Sequence, residues 1–273
     1  MASTSDPDDY VLGRGINDSI RLEAQHLLWK LHKGYDLHPH IPIKRDMKIA
    51  ELGTGTAVWL FDLARGLPPT VQLHGYDISD RQYPPKDLWP PNVALGLMDS
   101  LTDPPPSLKC QYDVVHLRMW ASNLGQRDTT TLIQHIKHLL KPGGYVQWED
   151  ADLIHQVIKG SRALEFEQKM QKTFHAAGLD YSWVSELPVR LKNEGLRVLK
   201  ADTGEFDPPL MQLCTDTYLM ALKEIIQGIK RTSAQNVLLS LCEHEMDLYQ
   251  LCAQSRDGII YNWTPMSVLA FKE

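Results

Sequence analysis

The chain has no uninterrupted apolar run near the ~20 residues that cross a bilayer, so its sequence predicts no transmembrane helix and no membrane partner. It has no lysine- and arginine-rich block, and its net charge is −6, so the electrostatic footprint of a nucleic-acid-binding protein is missing. Cysteine is sparse. Cys110, Cys214, Cys242 and Cys252 form no C-x-x-C pair, which argues against a disulfide framework and against zinc, whose ligands come in close pairs. No metal is expected, and reduced thiols point to a cytosolic or nuclear compartment, with cytoplasmic residence the expectation. The start, Met1-Ala-Ser-Thr-Ser-Asp-Pro-Asp-Asp9, is polar and acidic, which predicts neither a signal peptide nor a transit peptide. A Gly-Lys-Ser/Thr phosphate loop is absent, and so is the third glycine of a dinucleotide fingerprint after Gly53-Thr-Gly55.

What is present is arranged around Lys48-Ile-Ala-Glu-Leu-Gly-Thr-Gly-Thr-Ala-Val-Trp59. Ile49, Ala50 and Leu52 supply a strand buried on both faces. Gly53 and Gly55 allow a tight turn, and Trp59, Leu60, Leu63 and Ala64 begin a helix. A ligand over that turn is expected to meet free backbone N–H groups and the positive end of a helix. Before it, Ile20, Leu22, Leu27, Leu28 and Leu31 give a helical stripe, with Arg21, Gln25, His26 and Lys30 on the polar face. After it, strands are predicted at 71–78, 93–98, 112–117, 145–149 and 196–203. Helices intervene, and Gly258–Lys272 closes the chain as further strand. Strands alternating with helices predict a parallel, doubly wound α/β sheet covered on both faces. Two helical patterns near 209–230 and 233–255 read as an insertion capping one end of the sheet rather than as a simple hairpin. The expected organisation is an N-terminal helical lid over 1–42 and a main domain over 43–273, with a helical substrate cap at 205–257.

In such a sheet, ligands bind beyond the carboxyl ends of the strands. Glu51, Asp77, Asp99 and His116 fall at or just past four predicted strand ends, and their conjunction outweighs any one of them. Glu51 suits a cationic amine, and Asp77 suits a ribose diol, whose two hydroxyls donate to one carboxylate. Asp99 suits an adenine amino group, and Ile78, Met98 and Leu101 could line the slot for its ring. An adenosine bearing an amino acid and no phosphate fits this set: S-adenosylmethionine, with S-adenosylhomocysteine as product.

These motifs resemble class I S-adenosylmethionine-dependent methyltransferases. The likeness rests on E-x-G-x-G after strand one, the acid ending strand two, Asp99 after strand three, Tyr112-Asp-Val-Val115 and Lys141-Pro-Gly-Gly144. Further stretches narrow it: Ser19-Ile-Arg-Leu-Glu-Ala-Gln-His26, Gly75-Tyr-Asp-Ile-Ser79 and Trp263-Thr-Pro265 are similar to fungal secondary-metabolite methyltransferases, relatives of LaeA-type regulators. The resemblance implies a Rossmann-like sheet of order 3-2-1-4-5-7-6 with strand seven antiparallel. It implies a cofactor surrounded by Glu51, Gly53, Thr54, Gly55, Asp77, Ile78, Asp99 and His116, with Met98 and Ser100 beside Asp99. Tyr10 and Arg14 are candidates to fold over it.

Methyl transfer needs alignment, and a proton acceptor where the acceptor atom carries a proton; His116 and His26 are the candidate bases. Trp29, Arg118, Trp120 and Glu149 are candidate acceptor contacts, with Trp148 and Tyr181 as further aromatic wall. The expected activity is O- or N-methylation of a small-molecule natural product. A LaeA-like regulatory or scaffold subunit, or a methyltransferase fold retooled for a non-methylating cyclisation, stand as alternatives. The long helices also offer a surface on which two copies could pair as a homodimer.

Overall fold

The computed structural model describes residues 12–124, 129–232 and 235–273. Seven strands form one sheet: β1 Lys48–Leu52, β2 Gln72–Asp77, β3 Val93–Leu97, β4 Tyr112–Arg118, β5 Leu140–Lys159, β6 Arg197–Thr203 and β7 Ile260–Phe271. Their order is β3-β2-β1-β4-β5-β7-β6. The first five run parallel, and β7 is antiparallel to both neighbours. The helices are α1 Ile16–Lys33, α2 Val58–Gly66, α3 Ala121–Leu124, α4 Thr129–Leu139, α5 Ser161–Ala176, α6 Leu187–Asn193, α7 Pro208–Thr232 and α8 Gln235–Ala253. Among the described residues no helix is long and apolar enough to cross a membrane. The four cysteines are free thiols.

Apolar β1, β4 and β5 lie at the centre, where both faces are covered. One face packs Ile49, Val114 and Leu269 against Trp59, Leu60 and Leu63 of α2. The other packs Leu52, Leu117 and Trp148 against the remaining helices. Strand five is far longer than the predicted five residues. Past an irregularity between Asp152 and Val157 it continues to Lys159 against Ile260–Asn262, so its antiparallel pairing with β7 outruns the rest of the sheet.

The two long helices also differ from expectation. They do form an antiparallel pair, tied near one end by Asp216 to Arg256 and near the other by Lys230 to Glu245. Helix α7 packs on both α1 and β7.

Helix α1 departs from its predicted orientation in part: Leu28 of the apolar stripe is buried and Leu22 half-buried, but the rest of the stripe is not. Gly15 caps the helix, with the Asp18 carboxylate accepting the Gly15 N–H. Ile20, Leu27 and Leu31 are exposed, and the helix buries Arg21, Gln25 and His26 with Leu28 and Trp29. The polar face is inward because it meets charged partners there. The Arg21 guanidinium makes a two-pronged bridge to Glu224 of α7, at 2.6 and 2.9 Å.

Candidate active site

The parallel register places one row of polar side chains on the sheet face beneath α1. Glu51 pairs with His116 across β1 and β4, His116 with Gln147, and Arg118 with Glu149 across β4 and β5. Side chains two residues apart share a face, so these five residues lie together. The His116 ring is stacked on the Trp59 indole, 3.7 Å between centroids, and is fully buried. Its Nδ1 lies 3.3 Å from Glu51 and its Nε2 3.5 Å from Glu149. Glu149 accepts from Arg118 Nε at 2.8 Å. Burial pushes the Glu149 carboxyl up, but the Arg118 guanidinium and His116 outweigh it and hold it down at about 2. Arg118 also donates to His26 Nδ1 at 3.0 Å.

A cavity of about 380 Å³ opens at the carboxyl ends of the strands, under α1 and α7. Its wall runs from Asp77, Ile78, Met98, Asp99, Ser100 and Leu101 to Leu153, Tyr181, Tyr218, Ile225 and Trp263. Between these ends lie Gly53, Gly55, Arg118, Met119 and Trp120, with Arg14, Arg21 and Gln25 from the N-terminal segment. Glu51, Thr54 and His26 line instead a smaller adjoining cavity, which shares Gly53, Gly55, Gln25 and Arg118 with the larger one.

The glycine turn is built by hydrogen bonds that the sequence concealed. Gly53 and Thr54 N–H both donate to the Tyr76 carbonyl, at 2.8 and 3.0 Å. Gly55 N–H donates to Asp77 Oδ2 at 2.9 Å. Three of the N–H groups expected to be free over this turn, those of Gly53, Thr54 and Gly55, are therefore already used. The turn tethers β2 to β1 and sets Asp77 on the cavity wall. Burial raises the Asp77 carboxyl, against the opposing pull of the Gly55 and Ser79 N–H donors.

Six candidates stand apart from the main cavity: Glu51 and Thr54, which line the smaller one, and His116, Trp29, Glu149 and His26. His116 is sealed beneath Trp59. Trp29 is fully buried against Phe206 and Trp263. Glu149 is fully buried as the counter-ion of Arg118. His26 reaches only the smaller cavity, and its ring nitrogens face Arg118 and Asp62. Tyr10 lies outside the described residues. Arg14, Gly53, Gly55, Asp77, Ile78, Met98, Asp99, Ser100, Arg118 and Trp120 all line the main cavity. The sequence reading missed Arg21, Gln25, Met119, Tyr218 and Ile225; the signal lay in the polar face of α1, the residue after the end of β4 and the helical spacing of α7.

A protein-family model described as a methyltransferase domain matches residues 50–146. Over 97% of its length the chain is 28% identical to methyltransferase grgD of a Penicillium species, covering 96% of that protein. It is 34% identical to N-methyltransferase tcpN of Claviceps purpurea, over 52% of this chain and 51% of the relative. Residues 50–146 thus resemble a methyltransferase domain. More distant relatives include secondary metabolism regulators of the LaeA type. The methyltransferase sheet recurs in the chain solved in complex with the Trm112 methyltransferase activator of Haloferax volcanii, with a TM-score of 0.58 and 14% identity over 98% of this chain and 99% of that one.

The methyltransferase's cofactor is S-adenosylmethionine, and the donor set fits it. A half-buried carboxylate, Asp77, faces the cavity beside the glycine turn, where it would take the ribose hydroxyls. Ile78, Met98 and Leu101 form an apolar slot next to Asp99. Bound there, the cofactor supplies an electrophilic methyl group on a sulfonium.

Proposed function

We propose that this methyltransferase methylates a nitrogen or oxygen of a small, largely apolar natural product. The observation that carries the reading is the continuity of one cavity from the acidic end at β2 and β3 to an apolar end at Leu153, Tyr181, Ile225 and Trp263. The fungal relatives named as methyltransferases, one of them an N-methyltransferase, support the reaction type. Within this reading, residues 12–42 act as a lid and 205–257 as a substrate cap, because α1 and α7 roof the cavity and are clamped together by Arg21 and Glu224. The enclosure excludes water and aligns the two reactants, which can contribute ~7–11 kcal/mol of the barrier reduction. Arg118 and His26 fix the floor rather than move a proton, since each is committed to the other. The cytoplasm is the proposed location.

The LaeA-type relatives favour a second reading, in which the chain regulates secondary metabolism. One experiment addresses both. Protein, S-adenosylmethionine with a labelled methyl group and a fungal extract are incubated, and the label is followed. Label in a small organic molecule is the expected result. Label confined to protein supports the regulatory reading, and label remaining in the cofactor under all conditions refutes the transfer itself.

A further inference from the structure

Once His26 and His116 are accounted for, the cavity wall has few groups able to receive a proton. Asp77 and Asp99 sit at the adenosine end. The two tyrosines of the apolar end differ. Among the described residues the Tyr181 hydroxyl meets that of Ser122, at 3.2 Å, whereas the Tyr218 hydroxyl donates to the carboxylate of Glu167, 3.0 and 2.9 Å from its two oxygens. Glu167 lies on α5 and is 6% exposed. It also accepts from Gln156 of β5 at 2.9 Å and from Gln171 of α5 at 2.7 Å. Tyr181 and Tyr261 feel its charge from the surrounding elements. Glu149 and Glu224 are each buried against an arginine. Glu167 is buried with neutral donors, and no cation is recorded pairing with it among the described residues. A carboxylate buried in that way costs folding energy and is a better proton acceptor than a paired one. Burial accordingly raises its carboxyl, opposed by the three donors.

We propose that Tyr218 and Glu167 form the proton-accepting pair of the acceptor end, with Tyr218 the catalytic residue and Glu167 the positioning carboxylate behind it. As the acceptor's lone pair bonds to the methyl carbon and the carbon–sulfur bond breaks onto sulfur, the acceptor's N–H or O–H proton passes to the Tyr218 oxygen. The Tyr218 proton moves to Glu167, which becomes a neutral acid and later releases it to solvent. The charge balances: a cationic sulfonium and a carboxylate become a neutral thioether and a carboxylic acid. The inference rests on the methyl-transfer reading and assigns a proton route within it.

Tyr218→Phe and Glu167→Gln are the test, with label transfer from S-adenosylmethionine into the fungal extract followed against pH. Cofactor affinity by calorimetry should match wild type in both variants, which establishes folding independently of activity. The transfer rate at saturating cofactor should fall about 10²-fold in each. The acid limb of the wild-type profile should disappear in Glu167→Gln and return in Glu167→Asp. Binding of p-nitrophenol in the presence of S-adenosylhomocysteine gives a second readout. In wild type, the nitrophenolate absorbance and the infrared carbonyl band of a protonated carboxyl should appear together, and both should be lost in Glu167→Gln. Wild-type rates and profiles in the variants, or identical bound spectra, overturn the proton route while leaving methyl transfer standing. Absence of any transfer and of any p-nitrophenol binding in wild type overturns the acceptor-cavity reading beneath it.

Discussion

Arg118 Nη1 lies 3.0 Å from His26 Nδ1. A guanidinium can only donate, so that nitrogen must be the acceptor, and the imidazole proton sits on Nε2. There it donates to Asp62 Oδ2 at 3.0 Å. One contact thus fixes a tautomer. It also joins α1 to the buried row of Glu149, His116 and Glu51 under the glycine turn.

His26 should therefore stay neutral below its ordinary value of 6.5, because burial and then the Arg118 charge both disfavour its cation. The sign follows. As pH falls through 6.5 the unfolded chain takes up this proton before the folded one, so stability is lost toward acid. Glutamine can accept from Arg118 and donate to Asp62 as the neutral imidazole does. His26→Gln should keep neutral-pH stability, flatten that acid loss in urea titrations, and retain methyl transfer. A large loss of transfer with the fold intact would restore His26 as a base.

Glu149 has the same pH sense by a different cause, because its charged form is the one favoured. Its carboxyl is held at about 2 against an ordinary 4.5, so it contributes stability that is present above 4.5 and lost as pH falls toward 2. The difference corresponds to about 3 kcal/mol. Glu149→Gln leaves Arg118 buried against a neutral partner and should cost roughly 3–5 kcal/mol. Chemical denaturation at neutral pH measures the loss, and a change below about 1 kcal/mol would show that Arg118 finds other compensation.

Arg21 and Glu224 lie 203 residues apart and hold the roof of the cavity. Removing one partner strands a buried charge, whereas replacing both with apolar groups of similar size can be nearly neutral. Glu224→Leu should cost roughly 3–5 kcal/mol, and Arg21→Met with Glu224→Leu should recover much of it. Proteolysis within α1 should accelerate in the single variant and return toward wild type in the double. Additive losses would argue against direct coupling.

The sheet and its strand-end acids were legible because they obey local rules. Apolar runs gave the central strands, and Asp77 and Asp99 stand where the chain leaves β2 and β3 for the cavity. The orientation of α1 was legible only in part. Of its apolar stripe, Leu28 is buried and Leu22 half-buried as periodicity predicts, yet Ile20, Leu27 and Leu31 are exposed. What turns the polar face inward is a set of distant partners, Glu224, Asp62 and Arg118, none visible from the helix itself. The burial of His116 was hidden for the same reason. Its strand-end position was readable, but the Trp59 ring that seals it comes from α2, the helix after β1.

Asp77 is the acid whose loss should cut most directly into cofactor binding. It has a second task, since Oδ2 holds the Gly55 N–H. Asp77→Asn can keep that bond through its carbonyl oxygen while losing the charge. It should weaken S-adenosylmethionine and S-adenosylhomocysteine binding equally, because both carry the same ribose. The expected loss is ~2–3 kcal/mol by calorimetry, with little change in melting temperature of the free protein. Wild-type affinity for both ligands would remove Asp77 from the ribose site.

The glycine turn admits a controlled test with two alanines. Gly53 has φ +69°, and a Cβ there would lie 3.1 Å from Trp120 Nε1. The indole cannot easily yield, because it donates to the Leu52 carbonyl at 3.1 Å while the Trp120 N–H is held by the buried Asp150. Gly143 has φ +80° with nothing within 4 Å of such a Cβ. Both alanines incur the left-handed backbone cost of ~1–2 kcal/mol, but only Gly53→Ala adds the collision with Trp120. Gly143→Ala should lose about that backbone cost and bind cofactor as wild type does. Gly53→Ala should lose more and bind cofactor at least tenfold more weakly, since the displaced indole and turn both belong to the cavity wall. Equal destabilisation and equal affinity in the two variants would mean that the turn is not braced by Trp120, and that its glycines serve only the backbone.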